Sequence, residues 1–145
     1  MTAPERSAMA SAATWILTAS GVALVFIGGF FFAARPPLLP EDARFMGSTT
    51  EHIVDAVPAL TRWLRRVFWV LGAYIATTGL LVVYVAVTGI RTGNTGAIAV
   101  LAVAGVTSVG WMSAVNFMIR SDFKWALLGL DAVWALGLLM AVAAK

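Results

Sequence analysis

The chain has 145 residues, of which 61% are hydrophobic and 12% charged, with a net charge of +3 and no cysteine. Ordinary soluble domains are roughly 45–50% apolar and about 25% charged, so a mean hydropathy of +0.90 excludes a typical water-soluble globule. The missing cysteines exclude disulfides, thiolate metal sites and cysteine nucleophiles. The basic balance does not point to nucleic acid, because no basic run accompanies a soluble domain. It reads as lysine and arginine at helix ends facing lipid headgroups.

The charges are clustered, and the clustering predicts the architecture. No charged residue lies between Arg6 and Arg35, between Arg66 and Arg91, or between Arg91 and Arg120, and only Asp131 lies between Lys124 and Lys145. Each gap matches or exceeds the roughly 20 residues that cross a hydrocarbon core as a helix. A backbone in lipid must satisfy its own hydrogen bonds, so helices are expected. The fold class is therefore all-α: a single polytopic membrane domain of four transmembrane helices.

In chain order, residues 1–11 are polar and small. The first span is expected over 12–34, too long an apolar run for a cleaved signal peptide. Trp15 lies at its start. Gly21, Gly28 and Gly29 offer close-approach surfaces, and Arg35-Pro36-Pro37 ends it. The second span is expected over 63–88, the third over 95–120 and the fourth over 123–144. The turns between them are short, so the last three spans should be antiparallel neighbours. Gly72/Ala76 and Gly110/Ala114 are small-residue faces able to take another helix.

The segment 35–62 is the one long polar stretch. Pro40-Glu41-Asp42 followed by Gly47 has the signature of a short helix. Ser48 with Glu51 matches a capping box, which predicts a second helix start. Ile53, Val57, Leu60 and Leu64 recur at helical spacing, making that segment amphipathic, and Pro58 predicts a kink or break. Such a segment, running into Trp63, Arg65 and Arg66, suits the membrane interface. Arg62, Arg65, Arg66, His52 and Trp63 are the candidate surface for lipid headgroups or a partner. One histidine cannot furnish both axial ligands of a haem, and Glu51, His52 and Asp55 read as a solvated face. No metal site, cofactor or catalytic residue is expected.

Asp131 lies eight residues into the fourth span, about 12 Å from Phe123. An ionisable group at that depth normally faces the bundle interior with a partner. The antiparallel register places Ser113, Tyr74 and Thr77 at comparable levels, with Asn116 a turn nearer the loop. The five residues are the expected intramembrane polar cluster. It could fix helix register, carry a proton or cation, or meet another subunit. Trp111 and Trp134 read as packing.

The positive-inside rule assigns orientation. Arg35, Arg44, Arg62, Arg65, Arg66, Arg120 and Lys124 share one side, against Arg6, Arg91 and Lys145 on the other. Loop 35–62 is therefore expected in the cytoplasm and both termini outside. The strings RPPLLPEDARFMG, RWLRRVFWV and SDFKW resemble those of small four-helix integral membrane proteins of bacteria. The resemblance implies a bacterial inner membrane and carries no biochemical motif. The expected function is that of a non-enzymatic subunit of a larger membrane assembly, or of a homo-oligomer. The alternatives are a small proton- or cation-linked transporter or channel using Asp131, and a membrane enzyme acting on a lipid or quinone through residues 35–66.

Overall fold

The computed structural model describes residues 1–145, and they form helices and turns without a strand. Helix α1 (Ala3–Ala33) is followed by two short helices, α2 (Pro40–Phe45) and α3 (Thr50–Ala56). Helix α4 (Leu60–Val85) continues through a π-helical turn, Ala86–Ile90. Helices α5 (Thr95–Gly105) and α6 (Trp111–Met118) form one rod through a second π turn, Val106–Gly110, and α7 (Lys124–Ala143) returns along it. Four rods, Ala3–Ala33, Leu60–Ile90, Thr95–Met118 and Lys124–Ala143, are long and apolar enough to cross a membrane.

The breaks follow local chemistry. Three helix ends close with the same paired hydrogen bonds, in which a residue of positive φ lets the chain fold back on the last turn. At the end of α2, Gly47 (φ 67°) donates to Arg44 O and Ser48 to Ala43 O. After the first π turn, Gly93 (φ 67°) donates to Ile90 O and Asn94 to Gly89 O. Asn94 then caps α5 directly, its Oδ1 accepting from Gly96 N–H at 2.8 Å and Ala97 N–H at 3.4 Å. Between α6 and α7 the left-handed position is Arg120 (φ 54°), which donates to Phe117 O while Ser121 donates to Asn116 O. A side chain there is strained, since an L-residue in this region costs roughly 1–2 kcal/mol.

Two further breaks concern the polar segment. Helix α3 stops at Ala56 and α4 starts at Leu60, with Pro58 between them. The cap of α3 is Thr49, not Ser48: the Thr49 hydroxyl accepts from His52 N–H at 3.2 Å. The capping box expected of Ser48 and Glu51 is therefore not the one used, because both neighbours are hydroxyl residues and the chain starts its helix one position later.

Helix α1 is the centre of the bundle. It packs along both α4 and α7 and separates them, while the α5–α6 rod lies against α7 and meets α4 at the π-turn end. The core runs down α1 through Ala13, Leu17 and Leu24, and across to Val82, Ala86, Leu101, Val109 and Trp134. The second and third spans are thus neighbours mainly at one end, not along their length.

Glycine sets the α1–α4 distance. A Cβ on Gly28 would stand 2.5 Å from Gly72 O and from Ala76 N, and one on Gly79 would stand 2.5 Å from Gly21 O. Gly21 and Gly28 on one helix and Gly72 and Gly79 on the other recur every seven residues, so the two rods approach backbone to backbone at two levels of the seam. This seam uses Gly72 and Ala76 internally; they are not left for a second chain. Gly29 faces open space. Helix α7 is held differently. Trp134 is 2% exposed and its Nε1–H donates to Leu101 O at 3.1 Å, lying against Gly105, where a Cβ would meet Nε1 at 2.7 Å.

Candidate functional site: the α2 clasp and the open acid

The residues of opposite charge that the fold gathers lie at the end of the bundle carrying α2. Arg35, just beyond α1, has a side chain 9% exposed. Its guanidinium lies 3.7 Å from the Phe68 ring centre and 5.3 Å from that of Phe31. Phe31 and Phe68 meet edge to face at 5.9 Å, so α1 and α4 together build the aromatic seat. The guanidinium then spends its donors on Asp42 Oδ2 at 3.2 Å and Pro36 O at 2.9 Å. Asp42 Oδ2 also accepts from Leu39 N–H at 2.9 Å, which closes the start of α2. Stacking and charge-assisted hydrogen bonds together stabilise a cation that would otherwise resist burial.

Glu41 faces the other way. It is 4% exposed, and its Oε1 accepts from the Ser121 hydroxyl at 3.2 Å. Ser121, 1% exposed, accepts in turn from Phe123 N–H at 3.2 Å. Its hydroxyl is therefore both donor and acceptor, fixing the α6–α7 turn at Arg120. Arg44 and Asp122 add an exposed pair at 3.6 Å, of the class worth about 0–1 kcal/mol. Three residues of α2, Glu41, Asp42 and Arg44, thus tie the α1–α4 pair to the α6–α7 turn. This clasp was not among the sequence candidates. Its one legible signal was the acid pair after Pro40, and Ser121 lies 80 positions from Glu41.

The five residues expected to cluster in the apolar layer do not form a hydrogen-bonded group. Asp131 is half-buried on the stripe between Leu127 and Trp134, without a hydrogen bond or ion pair. Ser113 is 5% exposed and its Oγ has no partner. Asn116 Nδ2 turns back to Met112 O at 2.8 Å. Tyr74 is 69% exposed and Thr77 is exposed, both on the outer side of α4. The reason is the glycine face. Turning Gly72, Ala76 and Gly79 to α1 forces Tyr74 and Thr77 outward, and α1 stands between α4 and α7. Of the two indoles at this level, Trp134 is core and Trp111 is 68% exposed.

The headgroup candidates are all on the surface. Arg62, Arg65, Arg66 and His52 are exposed, as is Trp63 at 61%. The chain's ion pairs are Arg35–Asp42 and Arg44–Asp122, so none of the three arginines of α4 has a carboxylate partner. Helix α3 buries no residue; Ile53, Leu60 and Leu64 are half-buried and Val57 is 50% exposed. The chain matches no protein-family model, no curated protein and no solved structure.

Proposed function

We propose that this chain is an integral membrane protein of four spans, and that it serves as a non-enzymatic subunit packing against other membrane chains. The observation that carries the reading is the outer face of the long helices. Trp15, Phe26, Tyr74, Tyr84, Val106, Trp111 and Leu139 are all at least 66% exposed. Water would penalise that surface by about 25 cal/mol per Å², whereas lipid or another apolar helix accepts it. The charged groups of the α2 end support a structural role, because Arg35 is bonded to Asp42 of α2 and Glu41 to Ser121 of the α6–α7 turn. Loop 35–62 then lies at the cytoplasmic interface of a bacterial inner membrane, with its arginines at headgroup level and both termini outside.

The test is purification in gentle detergent from the native membrane. A defined hetero-complex, or a homo-oligomer of fixed stoichiometry, is expected; a lone monodisperse chain counts against the subunit reading. Orientation is open to cysteine labelling, since the chain has no cysteine of its own. Glu51→Cys should be shielded from an impermeant reagent in intact cells and Gly93→Cys should react. A second reading, proton- or cation-linked transport, has one observation in its favour: Asp131 is half-buried mid-span with no internal partner. Asp131→Asn should abolish such a flux in liposomes.

A further inference from the structure

We propose that the first turns of α4 form a binding site for an anionic phospholipid. Its phosphate would lie on Arg62, Arg65 and Arg66, and one acyl chain in the apolar furrow beside them. The inference rests on the reading of the chain as a membrane protein and adds a specific ligand to it.

Two independent observations meet there. The first is uncompensated charge. Arg62, Arg65 and Arg66 stand at i, i+3 and i+4, close enough to repel one another. They occupy the first two turns of a helix that has no acidic residue in its first turn, at the end where the backbone dipole disfavours cations. Neither of the chain's two ion pairs involves them. The fold therefore concentrates positive potential at one spot and supplies nothing of its own to neutralise it. The second observation is a shallow apolar furrow along α4, lined by Trp63, Arg66, Val67, Val70, Leu71 and Tyr74, to which Arg66 alone of the three arginines contributes. Its walls are open, with Val70 57% and Tyr74 69% exposed, and α1 packs on the opposite face through Gly72.

Arg66 belongs to both features, so the anion seat and the furrow are continuous. A free phosphate would satisfy only the arginines, and an uncharged lipid only the furrow. An amphiphile with a phosphate at one end and an alkyl chain at the other satisfies both. The order along α4 is also right: the three arginines and the Trp63 indole share the first two turns, and the aliphatic side chains Val67, Val70 and Leu71 follow, ending at the Tyr74 ring. Guanidinium groups suit phosphate because their donors form a planar fork matching its oxygens.

The experiment uses the full chain purified in detergent, with native mass spectrometry counting retained lipid. The probes are phosphatidylglycerol and phosphatidylcholine of identical acyl chains. The wild type should retain phosphatidylglycerol at least tenfold better. Arg62→Gln/Arg65→Gln/Arg66→Gln should bring the two lipids within about twofold, the loss of a charge-based preference worth about 1.4 kcal/mol per factor of ten. Arg91→Gln, an exposed arginine at the other end of the bundle, should leave the preference intact. Val70→Trp should weaken phosphatidylglycerol binding at least fivefold with every arginine present. If the triple variant elutes abnormally, Arg66→Gln alone should still lower the preference. Equal retention of both lipids, an unchanged preference in the arginine variants, or an equal loss in Arg91→Gln would overturn the proposal. So would a co-purifying protein released by the triple variant while lipid retention stays constant. Failure of the underlying membrane reading looks different: the chain would then leave native membranes in alkaline carbonate.

Discussion

Gly28 and Gly29 are chain neighbours in the same helix, yet an added methyl group should affect them in opposite ways. At Gly29 the new Cβ has nothing within 4 Å, so alanine contributes only its better helix propensity, up to about 0.8–1 kcal/mol. At Gly28 the Cβ would stand 2.5 Å from two backbone atoms of α4 and 2.8 Å from the Ala76 Cβ. Backbone atoms cannot swing aside as a side chain can. Relief therefore requires α4 to move outward by about 0.9 Å, and a gap of 0.5–1 Å forfeits a quarter to a half of each contact's dispersion energy. The loss extends along the seam, because Gly21 and Gly79 share it. Overpacking of this kind typically costs about 1–3 kcal/mol. Both variants gain the same propensity, so their difference isolates the steric cost. It should lie in the upper part of that range, since both contacts are with main chain. The assay is thermal unfolding in detergent followed by size exclusion, with a denaturant titration for the free energy. Gly28→Ala should be less stable than the wild type and Gly29→Ala equal to it or more stable. If Gly28→Ala is as stable as Gly29→Ala, the α1–α4 seam is not as drawn.

Three further outcomes are expected in the same assays. Arg120→Gly should stabilise the chain by about 1 kcal/mol, because glycine adopts the left-handed conformation of the α6–α7 turn without strain; an unchanged stability would mean that the turn does not store it. Ser121→Ala removes the hydroxyl donor to buried Glu41 and should cost about 1–3 kcal/mol, the penalty of leaving a buried polar group unpaired. Adding Glu41→Gln to that variant should cost less than the sum of the two single changes, as contacting residues do. Trp134→Phe keeps an aromatic ring but loses the bond to Leu101 O, for about 0.5–1.5 kcal/mol, and near-ultraviolet circular dichroism should lose the signal of that immobile indole.

The apolar stretches were legible because lipid imposes a length requirement that charge gaps reveal directly. The helix stop at Gly47 and the break at Pro58 were legible too, the first from a glycine's backbone freedom and the second from a proline's fixed φ and missing N–H. What escaped was partnership. Gly28 and Gly29 look alike in sequence, and only the helix's rotation, about 100° per residue, decides that one touches α4 and the other does not. That same rotation sent Tyr74 and Thr77 outward and dissolved the polar cluster drawn around Asp131. The clasp was hidden for another reason. Glu41 and Ser121 are remote in sequence, and no local pattern links them, while a serine in a turn reads as an ordinary turn residue. The cap of α3 illustrates the limit of motif matching, because Ser48 and Thr49 offer the same chemistry one step apart.

The central place of α1 also bears on how the molecule could be cut. Along its length α4 touches chiefly α1, and the α5–α6 rod touches chiefly α7, so the chain consists of two hairpins that meet along α1–α7, at the π-turn end of α4 against α5, and at the α2 clasp. Their covalent junction passes through Gly93, which has open space around it. Severing the chain there would cost no side-chain packing at Gly93, though the bonds from Gly93 N–H to Ile90 O and from Asn94 N–H to Gly89 O would then have to form between two pieces. Two separately expressed pieces, residues 1–92 and 93–145, should reassemble in one membrane through the Leu17–Gly137 contact and the bond from Ser121 to Glu41. Continuity of the polypeptide would then be a convenience of synthesis, and the architecture a property of two complementary parts.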